Sequence, residues 1–131
     1  MELLNNYEVF VTGITSKESN SLTELINRVD ELDIDSHVNI SLLMSAGFGL
    51  GTTVGEFQGT VNNVLFHEKE LSNANILHMK CTLGNVIRHW SNACRALNLN
   101  PNDVIWENVK QLESEYPEEQ FDLFHYHESD S

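Results

Sequence analysis

The chain has 131 residues, 40% apolar and 21% charged, a balance that fits one globular domain with a real core and excludes a disordered chain. Two prolines and seven glycines argue against a loop-rich all-β fold. Twenty acids against seven bases give a formal charge of −13, a surface that repels nucleic acid and polyphosphates at long range. Keeping the chain soluble or meeting a basic partner are the two uses of such a charge. No apolar run approaches the ~20 residues of a membrane span, and the N-terminus lacks the basic-then-apolar layout of a signal peptide. The expectation is a cytoplasmic protein with no nucleic-acid and no membrane partner.

The first element is a short helix over residues 2–12. A polar stretch, Ser16 to Ser21, follows. Ser21 then stands three residues before Glu24, the spacing of a capping box, and opens a helix in which Leu22, Leu25, Ile26, Val29 and Leu32 recur at helical spacing. Asp33 to His37 reads as a polar connector.

From Asn39 to Phe66 the apolar positions Leu42, Leu43, Ala46, Leu50, Val54, Phe57, Val61, Val64 and Leu65 predict a long, largely buried helix. Gly47, Gly51, Gly55 and Gly59 recur every fourth residue and therefore share a face. Each disfavours the helix by up to about 1 kcal/mol relative to alanine. Such a row makes sense where another helix backbone presses closely; a break near Gly47–Gly51 is the alternative.

A second long helix is predicted from Asn73 to Leu97, with Ile76, Met79, Leu83, Val86, Ile87, Trp90, Ala93, Cys94 and Leu97 as its apolar face. Cys81 and Cys94 lie thirteen residues apart in it, roughly 20 Å along the axis, so they cannot bridge within the chain. Cys94 belongs to the core, and the pattern leaves Cys81 open. Asn100 caps a last helix with Pro101 in its first position, where the missing N–H costs nothing. The segment 117–131 is an acidic tail, interspersed with Phe121, Leu123, Phe124 and Tyr126, that would suit packing across a partner subunit.

Opposite the apolar faces run two polar stripes: Thr53, Glu56, Thr60 and Asn63 on the first long helix, and His78, Thr82, Asn85, His89 and Asn92 on the second. If the helices pack antiparallel, the stripes border one polar cleft in which Glu56 is the only carboxylate. A histidine metal site is not expected. His78 and His89 are eleven residues, ~16 Å, apart on one helix, and His125 and His127 lie in the tail. Nor do Ser, Cys and His residues stand at the spacing of a nucleophilic triad.

These stripes sit within GLGTTVGEF (49–57), TLGNVIRHW (82–90), NLNPNDVIWENVKQL (98–112) and EYP (115–117). In order and spacing these segments resemble the MazG-like nucleotide pyrophosphohydrolases, specifically the short single-domain versions carried by tailed bacteriophages. The resemblance covers residues 39–122, and the stretch around Tyr7, Phe10 and TSKES resembles the phage versions too. It implies an all-α chain, one domain over 1–131. The fold would be a MazG-like bundle of two long antiparallel helices, completed as a homodimer or homotetramer, in the host cytoplasm if phage-encoded.

The resemblance also implies a chemistry: hydrolysis of a nucleoside triphosphate to monophosphate and pyrophosphate, with Mg²⁺ held by two i, i+3 pairs of acids. Mg²⁺ needs such hard oxygen ligands in near-octahedral array. Carried onto this chain, the pairs fall on Thr53 and Glu56, and on Thr82 and Asn85; only Glu56 is an acid. The family's lysines and arginine fall on Asn62, Asn63, Gln111 and Glu115, its tryptophan–tyrosine step on Arg88 and His89, while Asn108 and Tyr116 persist.

The expectation is therefore a catalytically inactive relative that acts by binding a nucleotide or nucleotide-derived signal. The binding cleft would comprise Thr53, Glu56, Thr60, Asn63, Thr82, Asn85, His89 and Asn108. No catalytic residue and no cofactor is assigned, Mg²⁺ entering only with residual hydrolysis. The alternatives are an acidic regulator or inhibitor of a basic protein, imitating nucleic acid, and a weak Mg²⁺-dependent pyrophosphohydrolase built around Glu56.

Overall fold

The computed structural model describes residues 1–122 and is all-helical over them: α1 (Glu2–Ile14), α2 (Lys17–Asn20), α3 (Leu22–Asp35), α4 (Ile40–Phe66), α5 (Asn73–Ala96) and α6 (Pro101–Glu115). The histidines 125 and 127 and the apolar residues 123, 124 and 126 of the expected tail lie outside the described residues.

Each helix begins on a polar side chain that satisfies an N–H its own ladder leaves unpaired, α1 excepted. Asn39 accepts from the Leu42 N–H at 3.1 Å and opens α4. Ser72 accepts from Asn75 at 3.2 Å and opens α5. Asn100 accepts from Asn102 at 2.9 Å ahead of Pro101 and opens α6.

The polar stretch Ser16–Ser21 holds a short helix: Ser16 accepts from the Ser19 N–H at 3.2 Å and starts the single turn of α2. Two local expectations need correction. Ser21 does cap α3, accepting from Glu24 N–H at 3.3 Å. The capping box is only half made, because α2 already takes the Ser21 N–H through the Lys17 carbonyl at 3.0 Å. Glu24 turns instead towards Lys17, 3.8 Å away. Finally, α3 continues through Asp35, so the connector is only Ser36 to Asn39. Ser36 ends the helix by donating its hydroxyl to the Leu32 carbonyl at 2.5 Å.

The central feature is α4 packed along α5. The Asn39 N–H donates to the Ala96 carbonyl at 2.9 Å, pinning the start of α4 to the end of α5. The pair therefore runs antiparallel, the condition under which the two polar stripes share a side. Around that junction lie the buried Ile40, Ala46, Cys94 and Ala96, the last three small side chains that let two backbones approach. Cys94 is a buried thiol and Cys81 an exposed one, both unbridged.

Beyond the hairpin, packing is sparse. The helix α3 meets α4, and α6 meets α5, only through limited contacts, while α2 and α3 pack as neighbours. Between α3 and α4 the chain turns through 116°. The segment after α6 folds back far enough for Phe121 to meet Trp106 edge-to-face, with ring centroids 5.4 Å apart. No single helix among the described residues is long and apolar enough to cross a membrane.

The glycine row leaves α4 unbroken. Nothing lies within 4 Å of a Cβ built at Gly47, Gly51, Gly55 or Gly59, so none of the described helices presses on that face. The close approach falls on Gly49, where a Cβ would meet the His89 ring, 2.7 Å from its Cγ.

Candidate functional site

The two polar stripes come from helix periodicity, and antiparallel packing brings them to one side of the α4–α5 pair. Their members differ in what they can offer. Thr53 and Thr82 are turned into the helix contact, only 5% and 2% exposed. Each hydroxyl donates to a carbonyl one turn back in its own helix: Thr53 to Gly49 at 2.6 Å and Thr82 to His78 at 2.9 Å. Their protons are therefore committed, and they act as small polar packing residues. Thr60 is half-buried and bonds back likewise, to Glu56, at 3.1 Å.

The outer edge of the stripes is open. Glu56, Asn63 and Asn85 are exposed, and His89 is half-buried beside Gly49. Two cations attend this edge on α5. The Arg88 guanidinium lies 3.4 Å from His89 Nε2, and Arg95 donates to the Asn92 side-chain oxygen at 3.1 Å. Seven residues separate the two arginines, two helical turns or about 10 Å. The sequence signal that marks these arginines is their place, Arg88 directly before His89 and Arg95 three residues after Asn92, on a stretch from 71 to 102 that holds three bases and no acid.

Asn108 does not join the stripes. It lines an open groove on α6 with Leu99, Asp103, Val104, Glu107 and Gln111. A second groove of about 370 Å³, between α6 and the returning segment, is lined by Val109, Leu112, Tyr116 and Phe121.

Chemically, the stripe residues can hydrogen-bond and, through Arg88 and Arg95, attract an anion. They do not form a metal centre: among the described residues no three His, Cys, Asp or Glu side chains converge. At the positions where the resemblance implies Mg²⁺ ligands, two are the buried Thr53 and Thr82 and a third is the neutral Asn85. The donor set therefore does not fit Mg²⁺, which requires several hard, anionic oxygens. Comparison with family models, with curated proteins and with solved structures returns no match to this chain.

Proposed function

We propose that this chain is a catalytically silent MazG-like protein, working as a homodimer or homotetramer, that binds a nucleotide or nucleotide-derived signal on the polar side of the α4–α5 pair. One observation carries the reading. Where the resemblance asks for four acids, the chain has one, and two of the replacements are threonines buried in the helix contact with their hydroxyls bonded to their own helices. What remains towards solvent is amide, imidazole and guanidinium, with Glu56 as the one carboxylate. Amides and imidazole recognise a nucleobase or ribose by hydrogen bonds, and a guanidinium takes a phosphate without a bridging metal. Binding without hydrolysis is the expected outcome, since among the described residues the stripes offer one carboxylate, Glu56, where the resemblance asks for four acids.

The test is a thermal-shift screen against mononucleotides, cyclic nucleotides and NAD-derived compounds, with and without Mg²⁺. The expected result is a shift from one class that does not depend on Mg²⁺ and that Arg88→Ala reduces. A ligand at 100 times its Kd stabilises by about 2.7 kcal/mol, well within reach of the assay. No shift from any class, or a shift that requires Mg²⁺, refutes the reading.

A second reading has its own observation. Nearly all the acids of α3 and α6 are exposed, and the ion pairs seen are Lys17–Glu24, Arg28–Glu31 and Lys110–Glu107, all at the surface. Such a face suits a basic protein partner. Capture of that partner should then weaken at 0.5 M salt, where the Debye length falls to roughly 4 Å. Capture that survives both high salt and neutralisation of the acids on α3 and α6 eliminates this account.

A further inference from the structure

The end of α6 and the segment after it form a groove by local rules. Val109, Leu112, Glu113 and Tyr116 recur at helical spacing and share one face of α6. Pro117 disfavours helix at the residue before it, so α6 stops at Glu115 and Tyr116 caps it. The chain turns there, the Glu119 N–H donating to the Tyr116 carbonyl at 2.9 Å. Two contacts then hold the returning segment along α6. The Phe121 N–H donates to the Glu113 carboxylate at 3.3 Å, and the Phe121 ring meets Trp106 edge-to-face.

Between helix and segment lies the groove of about 370 Å³, with Val109, Leu112 and Tyr116 on one wall and Glu119 and Phe121 on the other. Ligand pockets span about 300–1,000 Å³. This one stands at the small end, with room for the apolar anchor of a larger molecule. Its anchor points meet solvent: Leu112 is 45% exposed and Tyr116 60%.

Charge selects the occupant. Residues 101–122 hold seven acids against Lys110 alone, and seven acids less one base give −6, close to half of the chain's −13. Glu113 already holds the Phe121 N–H, whereas Glu118 and Glu119 are exposed at the rim. A second copy of the chain would bring −13 to that rim, and the chain's own residues 123–131 would bring Glu128 and Asp130 with no Lys or Arg. An apolar side chain flanked by cations suits both parts: the groove takes the apolar surface out of water, and the acids select the charge.

We propose that the groove between α6 and residues 117–121 is the docking site for a basic amphipathic segment of a partner protein. An apolar side chain seats against Leu112 and Tyr116, and flanking lysines or arginines meet Glu118 and Glu119. The site rests on the basic-partner reading given above and narrows that partner to a segment with an apolar anchor.

The experiment is fluorescence polarisation, the full chain titrated into a labelled peptide of leucine and lysine about twelve residues long, roughly three helical turns. Two peptides of equal length are compared with it, one of lysine alone and one with glutamate replacing each lysine. The leucine–lysine peptide should bind at least ~10-fold tighter than oligolysine, and the glutamate peptide should not bind. Leu112→Ser should weaken binding about tenfold. Glu118→Gln with Glu119→Gln should weaken it about fivefold, two exposed pairs being lost. The same change of charge on α1, Glu2→Gln with Glu8→Gln, should leave it unchanged. Should Leu112→Ser fail to fold, Glu119→Lys carries the test from an exposed position and should weaken binding at least as far as the paired glutamines. Equal affinity for the leucine–lysine and lysine-only peptides refutes the groove and leaves the acidic-face reading standing. Affinity indifferent to Leu112→Ser, or lowered as much by the α1 pair as by the rim pair, does the same. Equal binding of the glutamate peptide overturns the choice of a basic partner. Binding that fades as the chain is concentrated gives the groove to a second copy and refutes the proposal. If neither lysine peptide binds, the groove and the basic-partner reading fall together.

Discussion

Gly49→Ala sets two effects of known sign against each other. Within a helix, alanine is favoured over glycine by about 1 kcal/mol. At this position, however, the new methyl lands 2.7 Å from Cγ of His89 and nearer still to Nδ1 and Cε1, so the ring itself must move. The ring is half-buried against α4 and cannot simply swing into water without losing that packing. Overpacking of this kind costs about 1–3 kcal/mol. The net expectation is a destabilisation of up to about 2 kcal/mol, a fall in Tm of a few degrees for a domain of this size. Removing the ring isolates the cause: in a His89→Ala background the same substitution meets open space and should stabilise by about 0.5–1 kcal/mol. Gly59→Ala, with nothing within 4 Å, should do the same in the wild type. The assay is thermal or urea unfolding followed by circular dichroism, at one matched protein concentration because self-association makes Tm concentration-dependent. The coupling between positions 49 and 89 should be about 1–3 kcal/mol. If Gly49→Ala changes stability equally with and without the imidazole, to within about 0.5 kcal/mol, His89 does not lie across α4 and the polar face is arranged differently.

Two further outcomes test the frame and its caps. Thr53→Glu, Thr82→Glu and Asn85→Asp, combined, add three acids beside Glu56 and so restore the set of four; the triple variant should be several degrees less stable than wild type without Mg²⁺, because buried carboxylates lack a partner, and Mg²⁺ should recover it while leaving the wild type unmoved. Absence of any Mg²⁺-dependent shift in that variant counts against the MazG-like register. Asn39→Ala removes the acceptor that holds the Leu42 N–H and should lower stability by about 1 kcal/mol in urea titration, with Asn39→Ser regaining most of it; equal losses for both would place the effect elsewhere than the cap.

The long helices were legible because their signals are redundant. In α4 and α5, apolar spacing, a polar cap and the absence of internal proline all agree, so both ends fall close to where the pattern puts them. Short-range polar segments were harder. Ser16–Ser21 looks like a loop by composition, yet the Ser16 side chain accepts from the Ser19 N–H and starts a turn. The two stripes were readable as faces, but not as depths. Periodicity places Thr53 and Glu56 on one side of α4, three residues apart, and cannot say that the first is sealed in the contact while the second meets solvent. That difference is set by where α5 lies, which is tertiary information. The glycine row is a related case: its spacing was plain, but among the described residues no neighbour presses on it.

The partition of charge and polarity in this molecule follows a single logic. Eight of the twenty acids precede Asn39 and nine follow Asn102, so the hairpin between them is left with few charges. A helix pair with only Glu56, Lys80, Arg88 and Arg95 over fifty-one residues is poorly suited to stand alone in water, and its apolar face shows it. On the proposal of a homodimer or homotetramer, it would lie towards the middle, with the acidic helices outside. The same partition gives the polar face its use. Among the described residues the polar side of α5 carries a local excess of positive charge, two arginines about 10 Å apart along the helix. On the binding proposal, an anion that reaches it would be held by those cations and by the neutral amides around them, and a highly charged triphosphate would be disfavoured relative to a smaller or less charged nucleotide. Substituting the acids of α3 and α6 should therefore broaden ligand choice towards triphosphates without touching the site. If triphosphates bind no better after that neutralisation, the discrimination lies in the stripe itself.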